Sequence, residues 1–156
     1  MKVKEIMKRH LIKIKSNNKI IDACKKMRRK NVGFLLCYNT KNKFLGIVTD
    51  RDIIMALAID YSFDSKIKDI ITTKVVLISE DDEIEKVITL LSRYQITRLP
   101  VVNKDMEICG VISLSDIAMC DATNKYASVI LKAIKSNNPP QGSEKLNYLD
   151  IDDFIL

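Results

Sequence analysis

The 156-residue chain contains one histidine, His10, and four cysteines, Cys24, Cys37, Cys109 and Cys120, none of them in a CxxC pair. Such a set suggests neither a zinc site nor a disulfide framework, and the cysteines read as buried, reduced thiols. Aromatic residues are 6% of the chain and tryptophan is absent, so no set of rings stands ready to stack nucleic-acid bases. Long hydrophobic runs are missing too. The longest, Ile53 to Ile59, falls far below the roughly 20 residues of a bilayer-spanning helix. The opening MKVKEIMKRHLIKIK interleaves lysine with apolar residues and offers no continuous apolar signal core. A cytoplasmic protein without a membrane partner is the expectation. No stretch supplies a Walker loop, a catalytic metal set or a nucleophile beside its activating base, so an enzyme is not expected.

What the chain has in excess is positive charge, unevenly spread. Residues 1–64 hold 15 Lys/Arg against 6 Asp/Glu, residues 65–128 hold 8 against 10, and residues 129–156 hold 3 against 4. The cluster KKMRRK at 25–30 falls on the polar side of an amphipathic helix with no DNA-reading motif beside it. A solvated helix face is therefore preferred over a nucleic-acid surface.

The stretch GIVTDRDI at 46–53 returns as GVISLSDI at 110–117, an offset of 64 positions. The same offset places Lys4 on Lys68, Ile6 on Ile70, Ile20 on Ile84, Asn39 on Asn103 and Met55 on Met119. The chain is a duplicated unit, divided here as 1–64, 65–121 and a tail at 122–156. Two copies are too few for a solenoid, so a face-to-face pair about a pseudo-twofold axis is expected.

Within the first copy, HLIKIK reads as a short strand and SNNKIIDACKKMRRKN as a helix, with Ser16 as its cap and Ile20, Ile21, Cys24 and Met27 at helical spacing. VGFLLCY and FLGIVT read as strands around the turn NTKNK, and a second helix starts at Asp50. The second copy repeats this order with KVVLIS, SEDDEIEKVITLLSRY, LPVV, NKDME and ICGVIS. The fold class is therefore α/β (α+β), two pseudo-symmetric strand-helix-strand-strand-helix units packed sheet to sheet. The acidic run Glu80 to Glu83 suits the positive end of a helix dipole and is not read as a metal site. ASVILKAIK reads as a closing helix, SNNPPQGSEK as a linker, and LNYLDIDDFIL as a segment that docks on its own domain or on a partner.

The repeated motif carries two readings. A Ser or Thr followed three places later by an acid is a capping-box spacing, and each cap contributes about 1 kcal/mol. The same geometry can receive a nucleotide, with Asp accepting from the two ribose hydroxyls while the phosphates go to Thr49, the helix start and a basic residue. On spacing alone the capping reading wins.

VKEIM and IKDII, NVGFLLC and ITRLPVV, and GIVTDRDI and GVISLSDI recur in order over residues 1–121. In these motifs the chain resembles a tandem pair of cystathionine β-synthase (CBS) domains, a Bateman module. The resemblance implies two clefts, each built from both copies, for adenosine-containing ligands such as AMP, ADP, ATP or S-adenosylmethionine, and a regulatory rather than catalytic role. The first cleft would use Ile47, Thr49 and Asp52, faced by Val76, Ile96, Thr97 and Arg98, with Arg98 reaching the phosphates. The second would use Val111, Ser113 and Asp116, faced by Ile12, Val32 and Gly33, with Phe34 where the first has Arg98. The resemblance also implies a homodimer through helix faces such as IIMALAI. An unidentified protein target of the tail or of the helix faces, without a nucleotide, is the alternative.

Overall fold

The computed structural model describes residues 1–136. Its elements follow the repeat: β1 (Lys13–Lys15), α1 (Ile20–Lys30), β2 (Phe34–Tyr38), β3 (Phe44–Thr49) and α2 (Asp50–Leu57) in the first copy. The second copy gives β4 (Ile78–Ser79), α3 (Ile84–Tyr94), β5 (Arg98–Val102), β6 (Ile108–Ser113) and α4 (Leu114–Met119), and α5 (Ala127–Lys135) closes the described chain. The strands form two three-stranded sheets, β1-β2-β3 and β4-β5-β6. In each, the outer pair that spans a helix is parallel and the hairpin pair is antiparallel, because only a crossover can return a chain in the same direction. The mixed α/β fold expected from the sequence is present.

Central strand β2 is buried at all five of its positions, whereas β3 alternates, with Gly46 and Val48 turned inward. The recurring asparagines explain the hairpins. Asn39 Oδ1 accepts from the N–H groups of Lys41 and Lys43, both at 2.9 Å. Asn103 Oδ1 accepts from those of Asp105 at 2.9 Å and Glu107 at 3.0 Å. A side-chain acceptor that closes its own turn needs Asx chemistry at that position. Helices α1 and α3 bury the stripes Ile20, Ala23, Met27 and Ile84, Val87, Leu91, each the 3.6-residue spacing of one face.

Local boundaries depart from the sequence expectation. Ser16 is not the cap of α1: its N–H donates to Tyr38 O at 2.8 Å, its carbonyl accepts from Lys68 N–H at 2.9 Å, and the helix starts at Ile20. Ala23, small enough to lie flat against the sheet, completes the buried stripe, while Ile21 and Cys24 are only partly covered. Strands β1 and β4 are shorter than HLIKIK and KVVLIS. The expectations for the linker and the acidic-apolar tail at 137–156 lie outside the described residues.

Two compact units form. Among the described residues, one joins Met1–Leu11 to residues 76–136; the other contains Ile12–Val75. The 64-residue period and the compact units therefore have different boundaries, because each copy's leading segment packs with the opposite copy's sheet. Val3 and Met7 enter the core of the first unit with Ile84, Val87 and Leu91, and Ile67, the repeat partner of Val3, enters the other with Ile20 and Ala23. Lys8 bonds reciprocally with Val111 on β6, 2.9 Å in both directions, and Thr72 with Ile47 on β3, at 2.9 and 3.0 Å. Each leader thus caps one sheet edge that would otherwise present unpaired peptide groups.

Recurring Gly46 and Gly110 stand where the leaders cross. A Cβ at Gly46 would lie 2.3 Å from Thr72 O, and the residue has φ +155°; at Gly110 it would lie 2.6 Å from Met7 Sδ. The acidic run before α3 also turns toward the leader. Asp81 pairs with Lys4 at 2.8 Å, Glu83 with the Met1 ammonium at 2.9 Å and Glu80 with Arg9 at 3.8 Å. Among the described residues no helix is long and apolar enough to cross a membrane.

Candidate functional site

The repeated motif occupies the same place in each unit, the corner where the hairpin's last strand turns into a short helix. At the β3–α2 corner, Asp52 Oδ2 accepts from Thr49 N–H and Thr49 Oγ1–H, both at 2.8 Å, and Asp52 N–H donates back to Thr49 Oγ1 at 3.2 Å. This is the capping box that the spacing allows, and it locks one carboxylate oxygen. Among the described residues nothing hydrogen-bonds or ion-pairs with the other oxygen, Oδ1. An ionised carboxylate oxygen offers about two acceptor positions, so Asp52 keeps the capacity to take a vicinal pair of hydroxyls while capping its helix. The capping and ribose readings are compatible, one for each oxygen.

The expectation that this helix start receives phosphate does not match the geometry. Asp50 N–H donates to Gly33 O at 3.1 Å, Arg51 N–H to Asp50 Oδ1 at 2.8 Å, and Asp52 N–H to Thr49. The N–H groups that would cradle an anion are taken, and two carboxylates stand in the first turn. Thr49 orients Asp52 instead of facing a phosphate.

The β6–α4 corner repeats the cap. Asp116 Oδ2 accepts from Ser113 N–H at 2.8 Å and Ser113 Oγ–H at 2.5 Å, and Asp116 N–H donates to Ser113 Oγ at 3.3 Å. Here the second oxygen is occupied as well: Lys8 Nζ lies 2.9 Å from Asp116 Oδ1. Lys8 was not among the residues expected at the site. Its signal was available in the repeat, since the offset puts Thr72 at the equivalent position, but only the exchange of leaders brings Lys8 to Asp116.

The other expected residues divide between the two units. Ile47 and Val111 lie half-buried on the sheet faces opposite Val48 and Ile112, on the same side as Thr49 and Ser113. Val76 and Ile96 pack against the core of their unit, and Ile12 and Val32 against the core of theirs. Thr97 is exposed, and its carbonyl accepts from Leu114 N–H at 2.8 Å. Gly33 does the same for Asp50, so these repeat partners both anchor helix starts. Arg98 is half-buried and lies opposite Ser113 in the β5–β6 register; its counterpart Phe34 is buried opposite Thr49. Residues 12–75 thus hold Ile12, Val32, Gly33, Ile47, Thr49 and Asp52, and the other unit holds Val76, Ile96, Thr97, Arg98, Val111, Ser113 and Asp116.

The basic run of α1 is a helix end: Arg28, Arg29 and Lys30 occupy its last turn in solvent, where cations oppose the negative end of the dipole. Among the described residues no group of three or more His, Cys, Asp or Glu is placed to hold a metal ion. Burial pushes the Cys37 thiol up to about 11 and the Tyr38 phenol up to about 12.

Residues 3–59 and 67–122 each match the CBS domain. The protein YlbB of Bacillus subtilis is 31% identical over 139 residues, spanning 88% of this chain and 93% of YlbB. The solved CBS domain pair of protein MJ0100, in complex with 5′-methylthioadenosine and S-adenosyl-L-methionine, is 30% identical, with a TM-score of 0.68 over 76% of this chain and 93% of that one. The CBS domain protein PAE2072 from Pyrobaculum aerophilum, complexed with AMP, shares the fold at 23% identity, with a TM-score of 0.71 over 83% of this chain and 99% of that one. With two matching segments in tandem and their secondary structure in the same order, the chain belongs to the CBS domain family.

Proposed function

We propose that this CBS pair is a regulatory module that binds an adenosine-containing ligand and does not catalyse a reaction. The carrying observation is the divided carboxylate of Asp52, with one oxygen consumed by Thr49 and the other open for the ribose diol. Ile47, on the same face as Thr49, would meet the base, and Arg98 would be the cation for a phosphate. Ser113, Asp116 and Val111 form the corresponding set in the other unit, and Ile12, Val32, Gly33, Val76, Ile96 and Thr97 complete the set of contacts. The adenosine compounds bound by the MJ0100 pair and the AMP bound by PAE2072 support this ligand class over other nucleotides. Exposed Ile54, Met55 and Ile59 on and after α2 support a homodimer through that face.

A thermal-shift panel of AMP, ADP, ATP, S-adenosylmethionine and GMP tests the reading. A ligand at about 100 times its Kd adds about 2.7 kcal/mol, or roughly 5–11 °C for a domain of this size. Stabilisation by adenosine compounds but not GMP, reduced in Asp52→Asn or Asp116→Asn, is the expected result. No shift at millimolar ligand would leave the motif with capping alone and move attention to a protein partner.

A further inference from the structure

The two copies of the motif do not offer the same acceptor. Asp116 Oδ2 is filled by the two Ser113 donors, and Oδ1 holds the Lys8 ammonium at 2.9 Å. With about two positions per oxygen, one remains. Asp52 keeps two, because Thr72 occupies the place of Lys8 and brings no cation. Lys8 is not a stray surface contact: its backbone is fixed to Val111 by two 2.9 Å hydrogen bonds. The carboxylate it meets is only 7% exposed, although its own side chain is 70% exposed.

Resting on the adenosine-binding reading, we propose that Lys8 is a specificity-determining residue that makes the Ser113–Asp116 site a one-hydroxyl acceptor. That site takes a nucleoside ligand whose sugar presents a single hydroxyl, such as a 2′-deoxyadenosine compound, as readily as its ribose form. The Thr49–Asp52 site, with both positions open, selects ribose. One module then reads two chemically distinct sugars.

The test is calorimetric titration of the full chain with AMP and with its 2′-deoxy counterpart. Asp52→Asn leaves the Asp116 site to be measured alone. That variant should bind the two compounds within about twofold of each other, whereas the wild type's ribose-selective site should prefer AMP by about tenfold, the cost of one lost charge-assisted hydrogen bond. Adding Lys8→Thr, the residue of the equivalent position, should restore a ribose preference of about tenfold to the Asp52→Asn protein. Lys8→Met, the second variant, should restore the same preference to the Asp52→Asn protein with a circular dichroism spectrum like that of the wild type.

A tenfold ribose preference in Asp52→Asn alone, or an unchanged ratio after Lys8→Thr, would overturn the inference. So would weaker AMP binding at an unchanged ratio, which would make Lys8 a phosphate contact. Loss of all binding in Asp52→Asn would remove the Asp116 site. Ribose-selective binding that Asp52→Asn abolishes but Lys8→Thr leaves alone would remove this inference while preserving the nucleotide reading. Absence of binding in every protein would remove both.

Discussion

Gly46 and Gly110 are the same residue of the same motif, yet alanine at these positions should have very different effects. At Gly46 an added Cβ meets backbone, with Thr72 O at 2.3 Å, Thr72 C at 3.1 Å and Thr73 Cα at 3.3 Å. Relief requires the leader to move off β3, breaking the two Ile47–Thr72 hydrogen bonds of 2.9 and 3.0 Å. Those bonds contribute about 0.5–1.5 kcal/mol each. The φ of +155° adds about 1–3 kcal/mol for a residue with a Cβ, so the total loss is roughly 2–6 kcal/mol. At Gly110 the nearest atoms are Met7 Sδ at 2.6 Å and Met7 Cγ at 3.2 Å, with Lys8 O at 3.2 Å. A methionine side chain can turn aside, so the cost is overpacking alone, about 1–3 kcal/mol. Urea unfolding followed by circular dichroism should show a lower midpoint for Gly46→Ala than for Gly110→Ala, with similar slopes. Equal midpoints, or the reverse order, would refute the argument that backbone crossing explains the glycine at Gly46 of the repeat.

Asp52→Asn keeps an oxygen for the Thr49 donors but places an amide at the open position, so it should retain stability and lose about 1.5–3 kcal/mol of adenosine affinity, roughly tenfold to 150-fold. Asp52→Ala should lose both, including about 1 kcal/mol for the cap; equal affinity of Asp52→Asn and wild type would remove the residue from the site. Cys37, with its thiol pushed up to about 11 by burial, should resist a thiol reagent at pH 8 until the protein unfolds; rapid modification of Cys37 in the native state would contradict its placement. The Lys4 ammonium, hydrogen-bonded to Asp81, holds that carboxyl below its ordinary 3.8 and is itself raised above 10.5. The pair's contribution is therefore present between these values, lost as pH falls through the lowered Asp81 pKa, and lost again as pH rises through the raised Lys4 pKa. An NMR titration should place the Asp81 midpoint below 3.8 in the wild type and return it upward in Lys4→Met; a midpoint unmoved by that substitution would contradict the pairing.

Much of the fold was legible because local chemistry repeats at a fixed offset. Asn39 and Asn103 announce the hairpin turns, and Thr49–Asp52 and Ser113–Asp116 announce the helix starts, each through contacts within a few residues. Partner choice was not legible. Nothing in the alternation of MKVKEIMKRH states which sheet edge it will cap, and an acidic run before α3 satisfies a helix dipole as well as it satisfies Lys4 and the Met1 ammonium. The same exchange concealed Lys8. Ser16 illustrates a different limit: a good capping residue was diverted because its peptide group closes the end of the β1–β2 pairing. At the α2 start, Gly33 O, Asp50 Oδ1 and Thr49 Oγ1 already accept from the N–H groups that motif spacing alone offered to phosphate.

The central claim is that the open face of the Thr49–Asp52 cap holds the ligand's ribose. Titration of the 15N-labelled protein with AMP, followed through the backbone amides of Thr49 and Asp52, tests it most directly, since both N–H groups belong to the cap hydrogen bonds. Saturable shifts at these two amides, weakened about tenfold or more in Asp52→Asn, are predicted. Saturable binding that leaves both amides unmoved, or no binding at millimolar AMP, S-adenosylmethionine and 5′-methylthioadenosine, would contradict the account.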